Sequence, residues 1–456
     1  MSKTYRPWNP NQQWLLPPSV QDWLPGNDLV YFMIDTVNEL DISAITEKYE
    51  QEGRGYPPYH PRMMVALLLY AYCRGVFSSR KIMAACEERL TFRVIVGDDM
   101  PNFRTISDFR KLHLKGLEGL FVGALQLCQK AGLVRLGHRA LDSTKVKANA
   151  SRHKAMSYGR MKQEEKRLKQ EIEQLRSLAE AVDQQEDKEY GPDHRGDELP
   201  QELARRQNRL KRIQQAKKAL EAEAGEAAGQ AQKQREHQAC KNDGKPKDGK
   251  KAKAVSEVPE DKKQYNFTDP ESKIMKVSNK GWDQCGNAQA AADSKRQIIA
   301  ACDVTNETND KQRFEPMLEK AQKNIGRDKR IKAASADSSY YSESNVRYAQ
   351  SKKIDAYIAT ERIKHTDPAA KSPRGRLPKD LTVKQKMARK LRTKKGRETY
   401  SKRKSIVEPV FGQIKRARGF IQFSLRGLDK MRGEWAIVCL THNLLKLFAA
   451  RYAVTA

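Results

Sequence analysis

The most constraining feature of this sequence is a long polar segment, residues 152–265, that interrupts a series of strand and helix signals. Before it, VRLGHRALDSTKVKA (134–148) has the partly alternating pattern of a strand. After it, the signals indicate a hairpin (about 286–304), a helix (about 314–325), a strand (about 330–336), a further helix, a short strand (355–360) and two helices. A mixed sheet flanked by helices produces this order. The polar segment is therefore predicted to be an insertion in one α/β domain.

The insertion itself is predicted to hold a helical hairpin followed by a disordered stretch. Two apolar runs repeat with the spacing of a coiled coil, namely Leu168, Ile172, Leu175, Ala179 and Val182, and then Leu203, Leu210, Ile213 and Leu220. Pro192 and Gly196 separate the runs, which favours an antiparallel hairpin. Residues 241–263 have too few apolar side chains to fold. The repeating residues would serve either an intramolecular hairpin or a homodimer on DNA.

The first 130 residues are predicted to form an all-α domain. The helix PRMMVALLLYAYCRG (61–75) opens with proline and closes with glycine. Ser78 or Ser79 can cap the next helix, and Thr105 with Asp108 resembles a capping box at the start of a third. Short helices with basic residues suit helix-turn-helix DNA binding, although many helical domains bind no nucleic acid. The basic residues in question are Arg80, Lys81, Arg104, Arg110 and Lys111.

Positive charge is the first indication of a partner. The net charge is +30, and half of it lies in a basic tract, residues 371–418, where 18 Lys and Arg face three acids. Such a tract binds polyanions by releasing counterions, and double-stranded DNA is the partner we expect. An acidic membrane surface and a merely solvated basic loop are the alternatives.

Other classes of protein are disfavoured by what the sequence lacks. No stretch approaches the roughly 20 apolar residues of a membrane span, and the N-terminus has no signal-peptide core. A cytoplasmic protein that does not bind membranes is expected. The seven cysteines form no CxxC pair and the eight histidines show no ligand spacing, so neither a disulfide framework nor a zinc site is predicted.

Three acids occupy positions that look semi-buried. Asp142 lies in the strand before the insertion, Asp337 follows the small-residue run AASA, and Glu408 interrupts the apolar stretch IVEPVFGQI. A buried carboxylate needs a cation or a strong hydrogen-bond partner. Each acid also has a structural interpretation, because the two aspartates could cap turns and Glu408 could pair with Arg403 or Lys404.

Taken together, the three carboxylates suit a pair of Mg²⁺ or Mn²⁺ ions, which prefer hard oxygen ligands and assist in-line phosphoryl displacement. A helix over about 402–418 would place Lys415 two turns after Glu408, on the same face, with Arg418 extending it. Basic residues on this face would hold DNA phosphates. The full set of candidate DNA-binding residues is Tyr400, Arg403, Lys404, Lys415 and Arg418, and the alternative for Tyr400 is packing against the sheet.

The chain resembles the bacterial insertion-sequence transposases of the DDE class, with an InsH-type N-terminal domain. The likeness covers nearly all of the chain except the insertion. It rests on SSRKI, TISDFRKLH, RALDSTKVKANAS, NFTDPESKIMK, GNAQAAAD, VTNETNDKQRFEPML, ADSSYYSESN and SIVEPVFGQIKRARGF. The last of these resembles the family's Tyr–Arg–Glu–Lys signature, in which Lys415 would follow Glu408 after six residues. The resemblance implies that Asp142, Asp337 and Glu408 form the metal-binding catalytic triad of an RNase H-like core.

The sequence departs from the family pattern at two positions. Ser339 stands where the family has glycine two residues after the second aspartate. The register of the signature arginine holds Lys404, with Arg403 one place away, so the resemblance assigns that role to either residue. Lysine would keep the charge and lose the bidentate fork of a guanidinium.

The prediction is thus a four-part chain. Residues 1–130 form a helical DNA-binding domain, 131–151 and 266–456 form an RNase H-like α/β catalytic domain, and 152–265 are the insertion. The expected function is metal-dependent cleavage and strand transfer of double-stranded DNA, at element ends and target, by an insertion-sequence transposase. The alternatives are an inactive DNA-binding relative, an RNase H-like nuclease with another role and, least favoured, a structural coiled-coil protein.

Overall fold

A computed structural model describes residues 22, 24–50, 57–97, 99–135, 137–190, 201–241, 256–277, 281–326, 329–361, 372–373, 375, 378 and 380–452. Its helices are α1 (Leu29–Glu39), α2 (Ser43–Glu50), α3 (Pro61–Cys73), α4 (Ser79–Glu88), α5 (Leu90–Val96), α6 (Phe103–Leu112), α7 (Leu114–Lys130), α8 (Tyr158–Tyr190), α9 (Gln201–Lys241), α10 (Phe314–Ile325), α11 (Glu343–Ser351), α12 (Val383–Arg392), α13 (Lys394–Gly412) and α14 (Leu428–Tyr452). Its strands are β1 (His138–Lys147), β2 (Ala155–Ser157), β3 (Gln264–Asn266), β4 (Lys273–Lys276), β5 (Trp282–Asp293), β6 (Ile299–Thr305), β7 (Ala333–Ala336) and β8 (Asp355–Ile358).

The chain divides into two compact units. Unit 1 comprises Met1–Ala148 and Cys285–Ala456, and unit 2 comprises Asn149–Gln284. The long polar segment of the sequence therefore lies in unit 2.

Unit 1 contains five strands of a mixed six-stranded sheet, hydrogen-bonded in the order β6-β5-β1-β7-β8, and β4 also pairs with β5. The first three strands are antiparallel neighbours, and β7 and β8 run parallel to β1. The predicted hairpin around 286–304 is thus β5 and β6. Because β5, β6 and β7 are rich in buried alanines, helices can approach the sheet closely.

Helices cover this sheet, as the order of signals predicted. Side chains of α10, α11 and α12 pack with the strands in one core cluster that includes Phe314, Leu318, Val346 and Leu391. The apolar helix α14 packs on β6 and α7. Its Trp435 is fully buried, and Nε1 donates a 2.9 Å hydrogen bond to the Gln289 carbonyl of β5. Although α14 is largely apolar, none of the helices in the described ranges has the length and apolarity that a bilayer span requires.

The N-terminal part of unit 1 is helical, as predicted, but the third helix starts differently from the expectation. Asn102, and not Thr105, is the N-cap of α6, since its Oδ1 accepts from the backbone N–H groups of Arg104 and Thr105 at 2.9 and 3.0 Å. The predicted single helix is also two, because α6 ends at Leu112 and α7 begins at Leu114.

Arg110 was expected to contact DNA, and the structure places it in the interior instead. The side chain is 4% exposed, and Nη1 donates to the Tyr72 hydroxyl at 3.1 Å and the Phe77 carbonyl at 2.8 Å. Arg110 therefore ties α6 to the end of α3. The other basic residues of the predicted DNA-binding surface, Arg80, Lys81, Arg104 and Lys111, are exposed.

Unit 2 contains the predicted helical hairpin. Helices α8 and α9 pack together, and Leu168, Ile213 and Leu220 are buried between them with Met161. Ion pairs such as Lys217–Glu165 at 3.1 Å cross the pair in antiparallel register. Pro192 and Gly196 lie outside the described residues, and so does 242–255 of the stretch predicted to be disordered.

The last eight residues of that stretch, 256–263, are described, and they adopt defined contacts in unit 2. The Lys263 carbonyl accepts from Tyr158 N–H at 2.8 Å, and the Asp261 carbonyl accepts from Gly159 N–H at 3.0 Å. The expectation of disorder is therefore wrong for this part. Backbone hydrogen bonds to the start of α8 order it, although it has few apolar side chains.

Gly75, the glycine that ends α3, provides a test of the packing in unit 1. It has φ +75°, and a Cβ there would lie 2.5 Å from the Arg418 carbonyl oxygen. We expect Gly75→Ala to lower the free energy of unfolding by about 3 kcal/mol, through backbone strain and overpacking. Urea denaturation measures the change. Gly119→Ala is the control, since nothing lies within 4 Å of its Cβ position; equal stabilities of the two variants would contradict the packing described.

Candidate active site

The pairing of β1 with β7 determines where the first two candidate acids lie. The strands are parallel, and Ala140 is the partner of Ser335. Asp142 lies two residues beyond Ala140 in β1, and Asp337 lies two residues beyond Ser335, at the end of β7. Because the register continues in the same direction, the two aspartates occupy matching positions on neighbouring strands.

Asp142 is a largely buried carboxylate held by an arginine. Its side chain is 17% exposed, and Oδ2 accepts a 2.8 Å hydrogen bond from Nη1 of Arg403. Burial raises the pKa of Asp142 to about 6, Arg403 opposes this increase, and the negative charge of Asp337 adds to it. Asp337 therefore lies close enough to Asp142 for their negative charges to interact.

The same arginine reaches the third candidate acid. Nη2 of Arg403 lies 3.7 Å from Oε1 of Glu408, whose side chain is 54% exposed. The guanidinium is itself only 9% exposed. Asp142 on β1 and Glu408 on α13 thus share one buried cation. The ion pair with Arg403, which was the structural alternative for Glu408, is therefore formed.

The helix that carries Glu408 begins earlier than predicted. The expected start near Lys402 is wrong, because Thr393 caps α13 by accepting from Gly396 N–H at 3.0 Å. Another helix, α12, lies inside the basic tract, with a capping box at Thr382 and Gln385. Arg403 and Lys404 consequently lie in the interior of α13 and not at its start. Residues 371, 374, 376, 377 and 379 of the tract lie outside the described residues.

Pro409 follows Glu408 inside α13, and a partner outside the helix compensates for it. Proline has no N–H to donate to the carbonyl four residues before it. That carbonyl, of Ser405, instead accepts from Nε2 of Gln297 at 2.9 Å. The helix therefore stays continuous through Glu408, and residues Gln413–Ala417 then form a π-helical turn.

This π turn changes the face on which the later basic residues lie. Lys415 is half-buried, and its Nζ donates to the Lys145 carbonyl of β1 at 2.6 Å. Burial lowers the pKa of Lys415. In this state the ammonium therefore binds the protein backbone, and its predicted contact with phosphate stays a prediction.

Arg418 was expected to extend the exposed face, and its placement contradicts that expectation. The side chain is 8% exposed, with Nη1 donating to the Thr441 hydroxyl at 2.7 Å and Nη2 to the Val438 carbonyl at 3.0 Å. Arg418 N–H donates to the Gln413 carbonyl five residues before it, and this wider turn rotates the Arg418 side chain towards α14. Its role is to join the end of the π turn to α14.

Tyr400 lies one turn before Arg403 and packs against the core cluster of the sheet. The Arg403 guanidinium carbon is 5.8 Å from the centre of its ring. Burial raises the pKa of Tyr400. The structure thus contains the sheet contact that was the alternative interpretation for this residue, and contact with DNA stays a prediction.

A fourth carboxylate, Asp310, was not singled out in the sequence. It is 4% exposed, and its oxygens accept from the side chains of Asn287 at 2.7 Å, Gln289 at 2.6 Å, Ser143 at 2.9 Å and Ser339 at 2.8 Å. Ser143 adjoins Asp142, and Ser339 also donates to Asp337. Asp310 therefore fixes the backbone beside both candidate aspartates. Its only sequence signal was its place in the motif VTNETNDKQRFEPML.

As the side chains stand, no three Asp, Glu, His or Cys residues of the described ranges gather closely enough to hold a metal ion. The donor chemistry nevertheless suits a hard divalent cation, since Asp142 and Glu408 already share one cationic group. The buried Nε of Arg403 has no hydrogen-bond partner, so this guanidinium is only partly satisfied where it lies. Gathering the carboxylates requires Arg403 to leave the space between them.

The role of Asp310 can be tested through stability. We expect Asp310→Asn to lower the free energy of unfolding by about 2–3 kcal/mol, since an amide would then face buried amide donors. Chemical denaturation followed by circular dichroism provides the measurement. Asp429→Asn is the control, because that side chain is 94% exposed and should change stability by less than about 0.5 kcal/mol. Indistinguishable variants would mean that the Asp310 network does not hold the site.

Two family matches lie at the two ends of the chain. Residues 18–112 match the family described as transposase domain (DUF772), and residues 373–448 match the family described as transposase DDE domain. The second match includes Glu408 and all of α13. No curated protein and no solved structure matches the chain. The two matches, one to a transposase domain near each end of the chain, support an insertion-sequence DDE transposase.

Proposed function

We propose that this protein is a DNA transposase that cleaves a phosphodiester bond at the ends of its element and transfers the freed strand to target DNA. The observation that carries the proposal is the Arg403 guanidinium, which joins Asp142 to Glu408, while the parallel pairing of β1 with β7 sets Asp337 at the position matching Asp142. Three acids far apart in the sequence thus converge on one small region of unit 1.

The proposed catalytic fold is RNase H-like. Its support is the strand order β6-β5-β1-β7-β8, in which three antiparallel strands are followed by two parallel ones. The first acid lies on the central strand and the second at the end of the adjacent parallel strand. In the proposed domain organisation, the helical region before residue 130 recognises the element ends.

Asp142, Asp337 and Glu408 are the residues that would hold two Mg²⁺ or Mn²⁺ ions. Such ions stabilise the attacking and the leaving oxygen of an in-line phosphoryl displacement. Asp142 and Asp337 are held by their strands, and Asp310 restrains the backbone beside them. Glu408 is the half-exposed member of the set, so it is the one whose rotamer can change at least cost.

The other residues proposed for the site act on the DNA. Arg403 would exchange its carboxylate partners for a backbone phosphate, which its planar fork can bind through two hydrogen bonds. The exposed basic residues of α12 and α13 would hold the sugar–phosphate backbone without reading its sequence. Lys415 would join them only after releasing the Lys145 carbonyl.

Substitution of the two aspartates tests the catalytic assignment. We expect Asp142→Asn and Asp337→Asn to abolish Mg²⁺-dependent cleavage of labelled element-end DNA, a loss of at least about a thousandfold, because an amide is a poor ligand for these ions. DNA binding, measured by gel shift in Ca²⁺, should stay within about threefold of wild type, since substrate contacts come from other residues.

Asp429→Asn, an exposed site, is the control and should cleave normally. Full cleavage by either active-site variant would reject the assignment. Binding without cutting by the wild-type protein would favour an inactive DNA-binding relative, and cutting without strand joining would favour a nuclease.

Arg403 can be tested by metal binding without any turnover. Because its guanidinium competes with a cation for Asp142 and Glu408, we expect Arg403→Gln to bind Mn²⁺ more tightly than wild type in the absence of DNA, on the order of tenfold. Electron paramagnetic resonance of free Mn²⁺ measures the affinity. The neighbouring exposed lysine supplies the matched control, Lys404→Gln, and an equal gain in that variant would show that only general charge matters.

A further inference from the structure

We propose that unit 2 carries a second DNA-binding site, a cavity that takes one nucleotide with its phosphate on Arg212 and Lys154 and its base against Phe267. The cavity has a volume of about 320 Å³ and is lined mainly by Lys154, Met156, Arg209, Arg212, Ile213 and Phe267. We call it the hairpin cavity. The inference rests on the proposed function for the identity of the polyanion as DNA.

The fold of unit 2 brings two distant segments of sequence to this cavity. Strands β2 and β3 pair antiparallel, and the pairing continues as Phe267 N–H donates to the Lys154 carbonyl at 3.0 Å. Asn266 Nδ2 also donates to the Ser151 carbonyl at 2.8 Å. These bonds fix the backbone of the basic run 152–154 beside Phe267, and Lys154 lines the cavity from this backbone.

Helix α9 supplies the opposite wall. Ile213 is buried in the core cluster of unit 2, against which Met156 and Phe267 also pack. Arg209 and Arg212 are one turn apart in α9 and lie beside it at the cavity. The result is an apolar floor with a cationic rim, the arrangement that binding sites for amphipathic ligands share.

The charges around the cavity are unbalanced. Five of the eight residues in 205–212 are Lys or Arg, and none is acidic. Arg209 is held by Glu164 at 2.7 Å, which orients it. Arg212 and Lys154 are exposed, and the side chain of neither has a hydrogen bond or ion pair among the described residues. The side chains of Arg212 and Lys154 are therefore available to bind an external anion next to the aromatic ring of Phe267.

A nucleotide satisfies both halves of the cavity. Its phosphate would bind the guanidinium of Arg212 and the Lys154 ammonium, and its base would lie against the ring of Phe267, a contact that tolerates any sequence. Inorganic phosphate would leave the apolar floor unused, and an acidic peptide would gain little from an aromatic surface. The volume suits one unstacked nucleotide, so the favoured substrate is DNA with an unpaired position.

The test uses the full chain and a fluorescein-labelled duplex that contains one unpaired 2-aminopurine, with the fully paired duplex alongside. We expect Arg212→Glu to weaken binding to the first duplex by roughly tenfold or more and to reduce the slope of log Kd against log salt by about one to two. Lys218→Glu, an equal reversal on α9 at a residue that does not line the cavity, should change Kd less than about threefold.

The aromatic contact has its own readout. Wild-type protein should quench the 2-aminopurine emission, Phe267→Tyr should preserve the quenching, and Phe267→Leu should lose it while keeping an apolar side chain in the core. Unchanged emission with wild-type protein, equal effects of Arg212→Glu and Lys218→Glu, or equal competition by a polyglutamate peptide would each overturn the proposal.

These outcomes are separable from the failure of the proposed function. If Mg²⁺-dependent cleavage requires Asp142 while Arg212→Glu behaves as Lys218→Glu does, the transposase assignment stands and the hairpin cavity is not a DNA site. If Arg212 and Phe267 control binding while Asp142→Asn cleaves as wild type does, the cavity binds DNA and the catalytic assignment fails.

Discussion

The site depends on one buried guanidinium. Arg403 crosses from α13 to β1, where it neutralises Asp142 and reaches Glu408. A carboxylate as enclosed as Asp142 needs such a partner to stay ionised, and burial of a charged guanidinium is costly unless acids pair with it. The helix and the central strand are therefore held together by the same charges that the proposed chemistry requires. Gln297 preserves the helix on which this contact depends, since it donates to the Ser405 carbonyl that Pro409 leaves without a helical partner.

Much of the fold was predictable because local patterns agreed with the final packing. The hairpin, α10 and α14 have apolar periodicities that only one arrangement satisfies. The start of α13 was missed because the charged residues 394–401 carry no apolar pattern, whereas the cap at Thr393 and packing against the sheet decide their structure. Residues 256–263 were misjudged for a related reason, since backbone bonds to α8 order them.

The placement of the acids was predictable, but the arrangement around them was not. Asp142 and Asp337 follow strand patterns, so their places on strands could be inferred from the sequence, whereas the pairing of those two strands could not. Asp310 could not be, because its four partners come from three other segments and none lies near it in sequence. Arg418 was misplaced because spacing alone assumes an α-helix, and a π turn intervenes. Neither long-range polar networks nor local changes of helical pitch produce a periodic pattern of apolar residues, so the sequence does not reveal them.

The position of the insertion has a consequence for variation in its length. Lys147 near the end of β1 pairs directly with Cys285 in β5, so unit 2 departs and returns at adjacent points of a ladder. Closing a longer or shorter loop between two paired residues costs little extra entropy. A change in the length of the segment 149–272 would therefore leave the pairing of the acid-bearing strand with β5 in register.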